Sequence, residues 1–161
     1  MTFPFYKQET VWTCGPAVMR MSLEKLGIKK SEKQLIKILK TNKIKGTSNK
    51  DFSRVAEQYK LNYIVKRNST IEDLKYFSKK RYILIFCYYY PKEKIGHYSI
   101  LKKIDYKFIY FYDPYFGKNH KYNLKYFNKI WKCNPKHDNE KHWFFGVKNA
   151  ISIKKRSKKT S

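Results

Sequence analysis

At Tyr82 the chain changes its period, and that change limits the folds open to it. Before Tyr82 the apolar residues recur at helical spacing. After it, YILIFCYYY, HYSILKKI and KFIYFYD follow one another as short runs dense in aromatic and β-branched residues, the side chains that suit a pleated, half-buried surface. In the first half, CGPAVMRMSLEKLG reads as a helix opening at Cys14, with Pro16 in the first turn and Gly27 as its stop. Ser31 and Gln34 form an S-x-x-Q capping box ahead of Leu35, Ile36, Ile38 and Leu39, a helix expected to end near Thr41. Gly46-Thr47-Ser48-Asn49 is a turn whose Ser48 can cap a third helix carrying Phe52, Val55, Ala56 and Tyr59. A short strand over Leu61 to Arg67 and a helix over Thr70 to Ser78 follow, and later a helix over Leu124 to Trp131 and a strand over Trp143 to Val147. Helices first, then a mostly antiparallel sheet, make an α+β domain in two lobes, with the cleft between them as the natural site. The sequence shows no repeat and no internal linker, so residues 1–150 read as one domain. The tail KKRSKKTS lacks apolar anchors, and residues 151–161 are expected to be disordered.

Composition removes several classes of function. Hydrophobic residues make up 42% of the 161 and aromatics 18%, enough for a packed core. No apolar run approaches the ~20 residues of a spanning helix. MTFPFYKQET has no basic start followed by an apolar stretch, so no secretory signal is read and a cytoplasmic location is expected. Cys14, Cys87 and Cys133 are too few and too odd in number for a disulfide framework. The net charge of +25 attracts polyanions non-specifically. Yet only Arg20, Arg54, Arg67, Arg81 and Arg156 among the 37 basic residues are Arg, the side chain that dedicated phosphate and base readers favour. With Lys, Tyr and Asn all abundant, codon bias explains the charge more simply.

Four residues carry the chemistry. A helix N-terminus presents unpaired N–H groups and partial positive charge, which together stabilise a thiolate and a developing oxyanion. Cys14 stands at such a start, and Gly15 would leave room for a substrate carbonyl. Gln8, on the extended segment that feeds the helix, can offer a second oxyanion donor. His97 opens one strand and Asp113 closes the next. If the connection is Ile104 to Tyr106, Lys103 pairs with Lys107 and His97 stands opposite Asp113, so the carboxylate can hold the imidazole in its working tautomer. A one-residue slip would place the two on opposite faces.

Other candidates carry less. Cys133, His137 and His142, with His120, give C-x3-H-x4-H, a poor match to paired zinc ligands. Cys87 reads as packing. Tyr88-Tyr89-Tyr90 can stack on single-stranded bases, but a strand with one buried aromatic face explains it without a partner.

Gln8 through Cys14-Gly15, then Gly96-His97-Tyr98, then Asp113-Pro114, resemble the double-glycine peptidases, papain-like domains that process bacteriocin leaders. The likeness runs from about Gln8 to Val147 and takes in the Ser31 helix, the Gly46-Thr47 turn and the Asp51 helix in the same order. It implies a papain-like fold and a cysteine peptidase that hydrolyses a peptide bond through a thioester, after a Gly-Gly pair in a leader. It also implies Cys14 as nucleophile, His97 as general base and acid, Asp113 orienting His97, Gln8 in the oxyanion hole, and no metal or cofactor. Many relatives carry Asp before the Cys, where this chain has Thr13, and many are fused to a membrane transporter, which is a partner by resemblance only. Two other readings stay open: a non-catalytic module that binds leader peptide or nucleic acid, and a papain-like acyl transferase or amidase using the same acyl-enzyme.

Overall fold

The computed structural model describes residues 2–150; the tail expected to be disordered lies outside them. The order is α1 (Cys14–Lys25), α2 (Glu32–Ile38), a 3-10 turn (Asn49–Asp51), α3 (Phe52–Gln58), β1 (Asn62–Lys66), α4 (Ile71–Lys79), β2 (Ile83–Tyr90), β3 (Ile95–Ile104), β4 (Phe108–Asp113), β5 (Gly117–Asn123), α5 (Leu124–Ile130) and β6 (Phe144–Lys148). The strands form one antiparallel sheet in the order β1-β6-β2-β3-β4-β5. The late strand β6 therefore carries β1, from the helical half, into the sheet. An α+β, papain-like arrangement is what the structure has.

Local signals account for most boundaries. Gly27, at φ +88°, takes the left-handed conformation that stops α1. Ser31 and Gln34 form the reciprocal capping box of α2, and Thr70 and Asp73 form another on α4. The second helix ends at Ile38, short of Thr41, because Lys40 turns to φ 51° and the chain folds into a tight Asn42–Gly46 turn. Ser48 precedes the 3-10 turn without a side-chain cap. Strand β5 has no counterpart in the sequence reading: GKNHKYN is polar and mostly exposed, and it pairs as an edge strand where burial asks little of it.

Side chains alternate across the sheet and divide the core in two. Ile85 and Cys87 of β2, with Tyr98, Ile100, Phe145 and Val147, pack under α1, α2 and α3. Leu84, Phe86 and Tyr88, with Ile109, Phe111 and Phe144, pack against α4 and α5. Helices thus cover both faces.

The β3–β4 ladder departs from its expected register. The connection is 105–107, and in the ladder Ile104 pairs with Ile109 and Lys103 with Tyr110, not with Lys107. A bulge between Leu101 and Lys103 absorbs Lys102, and beyond it Leu101 pairs with Phe111 and Ile100 with Tyr112. Continued one step, that ladder puts Ser99, not His97, level with Asp113. Two residues along a strand is the same face, so His97 and Asp113 still meet, on a diagonal. Without the bulge Asp113 would stand level with Ile100, on the other face.

Candidate active site

The segment before α1 is fastened at several points. The Gln8 N–H donates to the Pro114 carbonyl at 2.9 Å, tying it to the end of β4. The Glu9 N–H donates to both carboxylate oxygens of the buried Glu32, at 3.1 and 3.2 Å. Burial raises the Glu32 carboxyl pKa, against hydrogen bonds from Thr13 and the Glu9 N–H that lower it. Thr13 turns its hydroxyl toward Thr10 rather than capping α1. The N–H groups of Cys14 and Gly15 therefore stay open at the helix start, and Pro16 has none to offer.

Gly15 serves a purpose other than the expected one. A Cβ there would lie 2.1 Å from Thr47 Oγ1 and 2.6 Å from Thr47 Cβ, so its bareness lets α1 pack on the 46–48 turn rather than admitting a carbonyl. Thr47 is pinned in turn: its hydroxyl bonds Thr41 Oγ1 at 2.7 Å and its carbonyl accepts from Tyr98.

His97 and Asp113 are both buried, and His97 Nε2 donates to Asp113 Oδ1 at 2.9 Å. That leaves Nδ1 for the Cys14 sulfur, with which the ring also hydrogen-bonds. Burial alone would lower the His97 pKa, but the Asp113 carboxylate and the Cys14 sulfur overcome it and push it up to about 10. The imidazole thus sits between the Asp113 carboxylate and the Cys14 sulfur, and both favour its protonated form. Asp113 moves the other way: burial opposes ionisation, yet His97, Ser99 and Tyr88 together hold its carboxyl below the usual range. Besides His97, Asp113 Oδ1 accepts the N–H groups of Tyr115 and Phe116, each at 2.8 Å. Oδ2 accepts the hydroxyls of Tyr88, at 2.6 Å, and Ser99. The Asp-Pro turn and the orientation of His97 are therefore served by the same carboxylate.

Gln8 lines the same cleft as Cys14 and His97, a cavity of about 460 Å³. One N–H of its amide is committed to the Thr10 carbonyl at 2.8 Å, which leaves the other for a ligand, and its Oε1 is buried without a partner. Gln8, Cys14 and His97 thus line one cleft, and Asp113 lies buried behind His97. Tyr88, Ser99, Glu32 and Thr47 support them, and the sequence reading gives none of the four a role in the site, because each acts on a residue distant in the chain.

The remaining candidates are not joined to this line of residues, although Cys87, Tyr90 and His137 also border the cleft. Cys87 and Cys133 hydrogen-bond one another in the core, which together with burial raises the Cys87 pKa well above its ordinary value. Asn49 Nδ2 donates to Cys133 Sγ at 3.0 Å. His142 stacks on Trp131 and bonds the Ser69 carbonyl through Nδ1. Among the described residues no group of three His, Cys, Asp or Glu is placed to hold a metal. Tyr88, first of the tyrosine run, is buried. Arg54 and Arg67 are ion-paired with Asp51 and Glu140, and Arg20 sits over the Tyr6 ring and near Glu9, so these arginines have structural employment. Among the described residues no helix is long and apolar enough to cross a membrane.

Comparison with known proteins identifies a family for the chain. The family model of the Peptidase C39 family matches residues 2–134. No curated protein matches. Among solved structures, the peptidase domain of Streptococcus ComA, a bi-functional ABC transporter of a quorum-sensing pathway, superposes at TM-score 0.75, 18% identity, covering 92% of this chain and all of that one. A double-glycine-motif protease from an AMS/PCAT transporter, solved with its leader peptide, gives TM-score 0.72 at 19% identity over 92% of this chain and 93% of its own. A C39-like peptidase from Bacillus anthracis gives 0.69 at 13% over 93% and 96%. With the Cys14 sulfur at a helix start hydrogen-bonded to His97, and His97 to the buried Asp113 carboxylate, and the family model spanning most of its length, this chain belongs to the C39 peptidase family and is a cysteine peptidase.

Proposed function

We propose that Cys14 is the nucleophile of this peptidase, that His97 is its acid and base, that Asp113 orients His97, and that the Cys14 N–H and the Gln8 amide form the oxyanion hole. The line Cys14–His97–Asp113 carries the reading. With the proton resting on His97, Cys14 meets the scissile carbonyl as thiolate. The S–C bond forms, and the oxyanion takes the two N–H donors. The imidazolium gives its proton to the leaving amine as the C–N bond breaks. Neutral His97 then takes a proton from water as its oxygen attacks the thioester; collapse of that intermediate breaks the C–S bond, releases the acid product and leaves the proton on His97 beside the Cys14 sulfur.

The substrate we propose is a leader of bacteriocin type, cut after a Gly-Gly pair. The rings of Trp12, Tyr90, Tyr115 and Phe116 line the cleft beside Cys14, and such walls favour residues without side chains at the cut. Proteins similar in fold include one solved with a leader peptide. Peptides carrying Gly-Gly, Gly-Ala and Ala-Ala at a single bond, incubated with the enzyme and with Cys14→Ala, test both levels. Cleavage after Gly-Gly alone, abolished in the variant, is expected. Cleavage that survives Cys14→Ala would overturn the nucleophile, and equal cleavage of all three peptides would overturn the specificity.

A further inference from the structure

We propose that Tyr88 and Ser99 are positioning residues of this active site, whose two hydroxyls clamp Oδ2 of Asp113 so that Oδ1 is always presented to His97. The inference rests on the catalytic reading of Cys14 and His97 and adds two residues to it.

The placement follows from the sheet. Tyr88 of β2 is the register partner of His97 on β3, and partners share a face. Ser99 stands two residues along β3 on that face. The bulge at Lys102 brings Asp113 of β4 level with Ser99. Three strands thus deliver two hydroxyls, an imidazole and a carboxylate to one spot, and Tyr88, Ser99 and Asp113 are all fully buried. The carboxylate is fixed at both ends. Backbone N–H groups of Tyr115 and Phe116 hold Oδ1, and the hydroxyls hold Oδ2. The Tyr88 ring also stands edge-on to the imidazole, centroids 5.4 Å apart at 77°, which restricts the ring from turning.

A carboxylate that accepts four hydrogen bonds besides that of His97 is a weak base. It orients the imidazolium without taking its proton. Deprived of both hydroxyls, Oδ2 would be a buried acceptor with no donor, a costly state that protonation relieves. Nearby titratable groups do not replace the clamp. Burial lowers the pKa of His120 of β5, and Tyr122 of β5 is pushed up to about 12, again chiefly by burial. Burial and the adjacent Asp113 charge keep the Tyr88 phenol protonated as well, so it remains a donor across the working range. Cys14 reaches Asp113 only through His97.

The test compares Tyr88→Phe, Ser99→Ala and the double variant with Ser22→Ala, which removes another buried hydroxyl, the one that donates to the Val18 carbonyl at 2.8 Å. Two readouts are followed against pH: kcat and KM for the Gly-Gly peptide, and the alkylation of Cys14 by iodoacetamide followed by peptide mass. The double variant is expected to lose about tenfold or more in kcat with KM within about twofold, and to lose both activity and alkylation on the acid side at a pH about one unit higher than wild type. Ser22→Ala is expected to keep the wild-type pH profile. If all variants keep that profile, even with lower kcat, the hydroxyls are merely structural and the proposal fails. The alkylation readout stands whether or not the peptide is the substrate. Cleavage surviving in Cys14→Ala would instead strike the catalytic reading.

Discussion

Gly15→Ala, a small change in size, is expected to damage both stability and the site. The added Cβ would stand 2.1, 2.6 and 3.0 Å from Oγ1, Cβ and Cγ2 of Thr47. Turning the Thr47 side chain relieves only the first and last of these, because Cβ is fixed by the backbone. The hydroxyl is in any case held by Thr41, and the Thr47 carbonyl by Tyr98. Either α1 or the turn must therefore back away by about 1 Å to restore ordinary contact. Ala would gain up to ~1 kcal/mol over Gly inside a helix, and forcing a packed contact costs ~1–3 kcal/mol or more. The hydrogen bonds of Thr47 strain as well, so a net loss of about 2 kcal/mol is expected, or roughly 4–8 °C in Tm for a domain of this size. Thermal and urea unfolding followed by far-UV circular dichroism measures it. The cause is isolated by repeating the substitution on Thr47→Gly, which removes all three clashing atoms. In that background Gly15→Ala should cost nothing or stabilise, while on Thr47→Ala, which keeps Cβ, most of the cost should remain. Equal stability of Gly15→Ala and wild type, or an undiminished cost on Thr47→Gly, would refute the argument.

Further outcomes follow from the same contacts. The raised His97 pKa contributes stability that is whole below the free value of 6.5 and is lost as pH rises through about 10. The lowered Asp113 pKa contributes stability above its free value of 3.8, lost as pH falls further. The Tm difference between wild type and Asp113→Asn should therefore be largest between pH 3.8 and 6.5 and shrink toward pH 10; a difference that grows with pH would contradict the ion pair. Glu32→Ala should cost about 1–3 kcal/mol by orphaning the Glu9 N–H, with slower cleavage as the segment before Cys14 loosens. Glu32→Gln, which keeps an acceptor, should recover most of both. In the native enzyme iodoacetamide should label Cys14 well before Cys87 or Cys133, which are 3% and 2% exposed and face each other in the core; peptide mass fingerprinting after timed quenching would reveal any other order.

How far the site could be read in advance depends on how local its signals are. Cys14 at a helix start needs only its neighbours, and so do the Ser31 box and the stop at Gly27. The meeting of His97 with Asp113 depends on the parity of a ladder, and two departures from expectation offset each other there. The pairing of Ile104 with Ile109 alone would have put Asp113 level with Ile100, on the wrong face. The bulge that absorbs Lys102 restores the parity, and nothing in LKKI marks it, since Lys at a bulge has no residue preference of the kind that Gly has at a left-handed turn. What resists a one-residue slip is the burial of the rest of β4, where Ile109, Phe111 and Asp113 alternate with half-exposed neighbours. The same faces carry the core and the catalytic carboxylate, so a register that buries Ile109 and Phe111 also delivers Asp113. The partners of that carboxylate stayed hidden because they are equidistant from it in kind, not in sequence: Tyr88 lies on another strand, and Ser99 is visible as a partner only once the bulge is known. The chemistry of the site was legible from four residue types in order, whereas its rigidity is a property of the sheet.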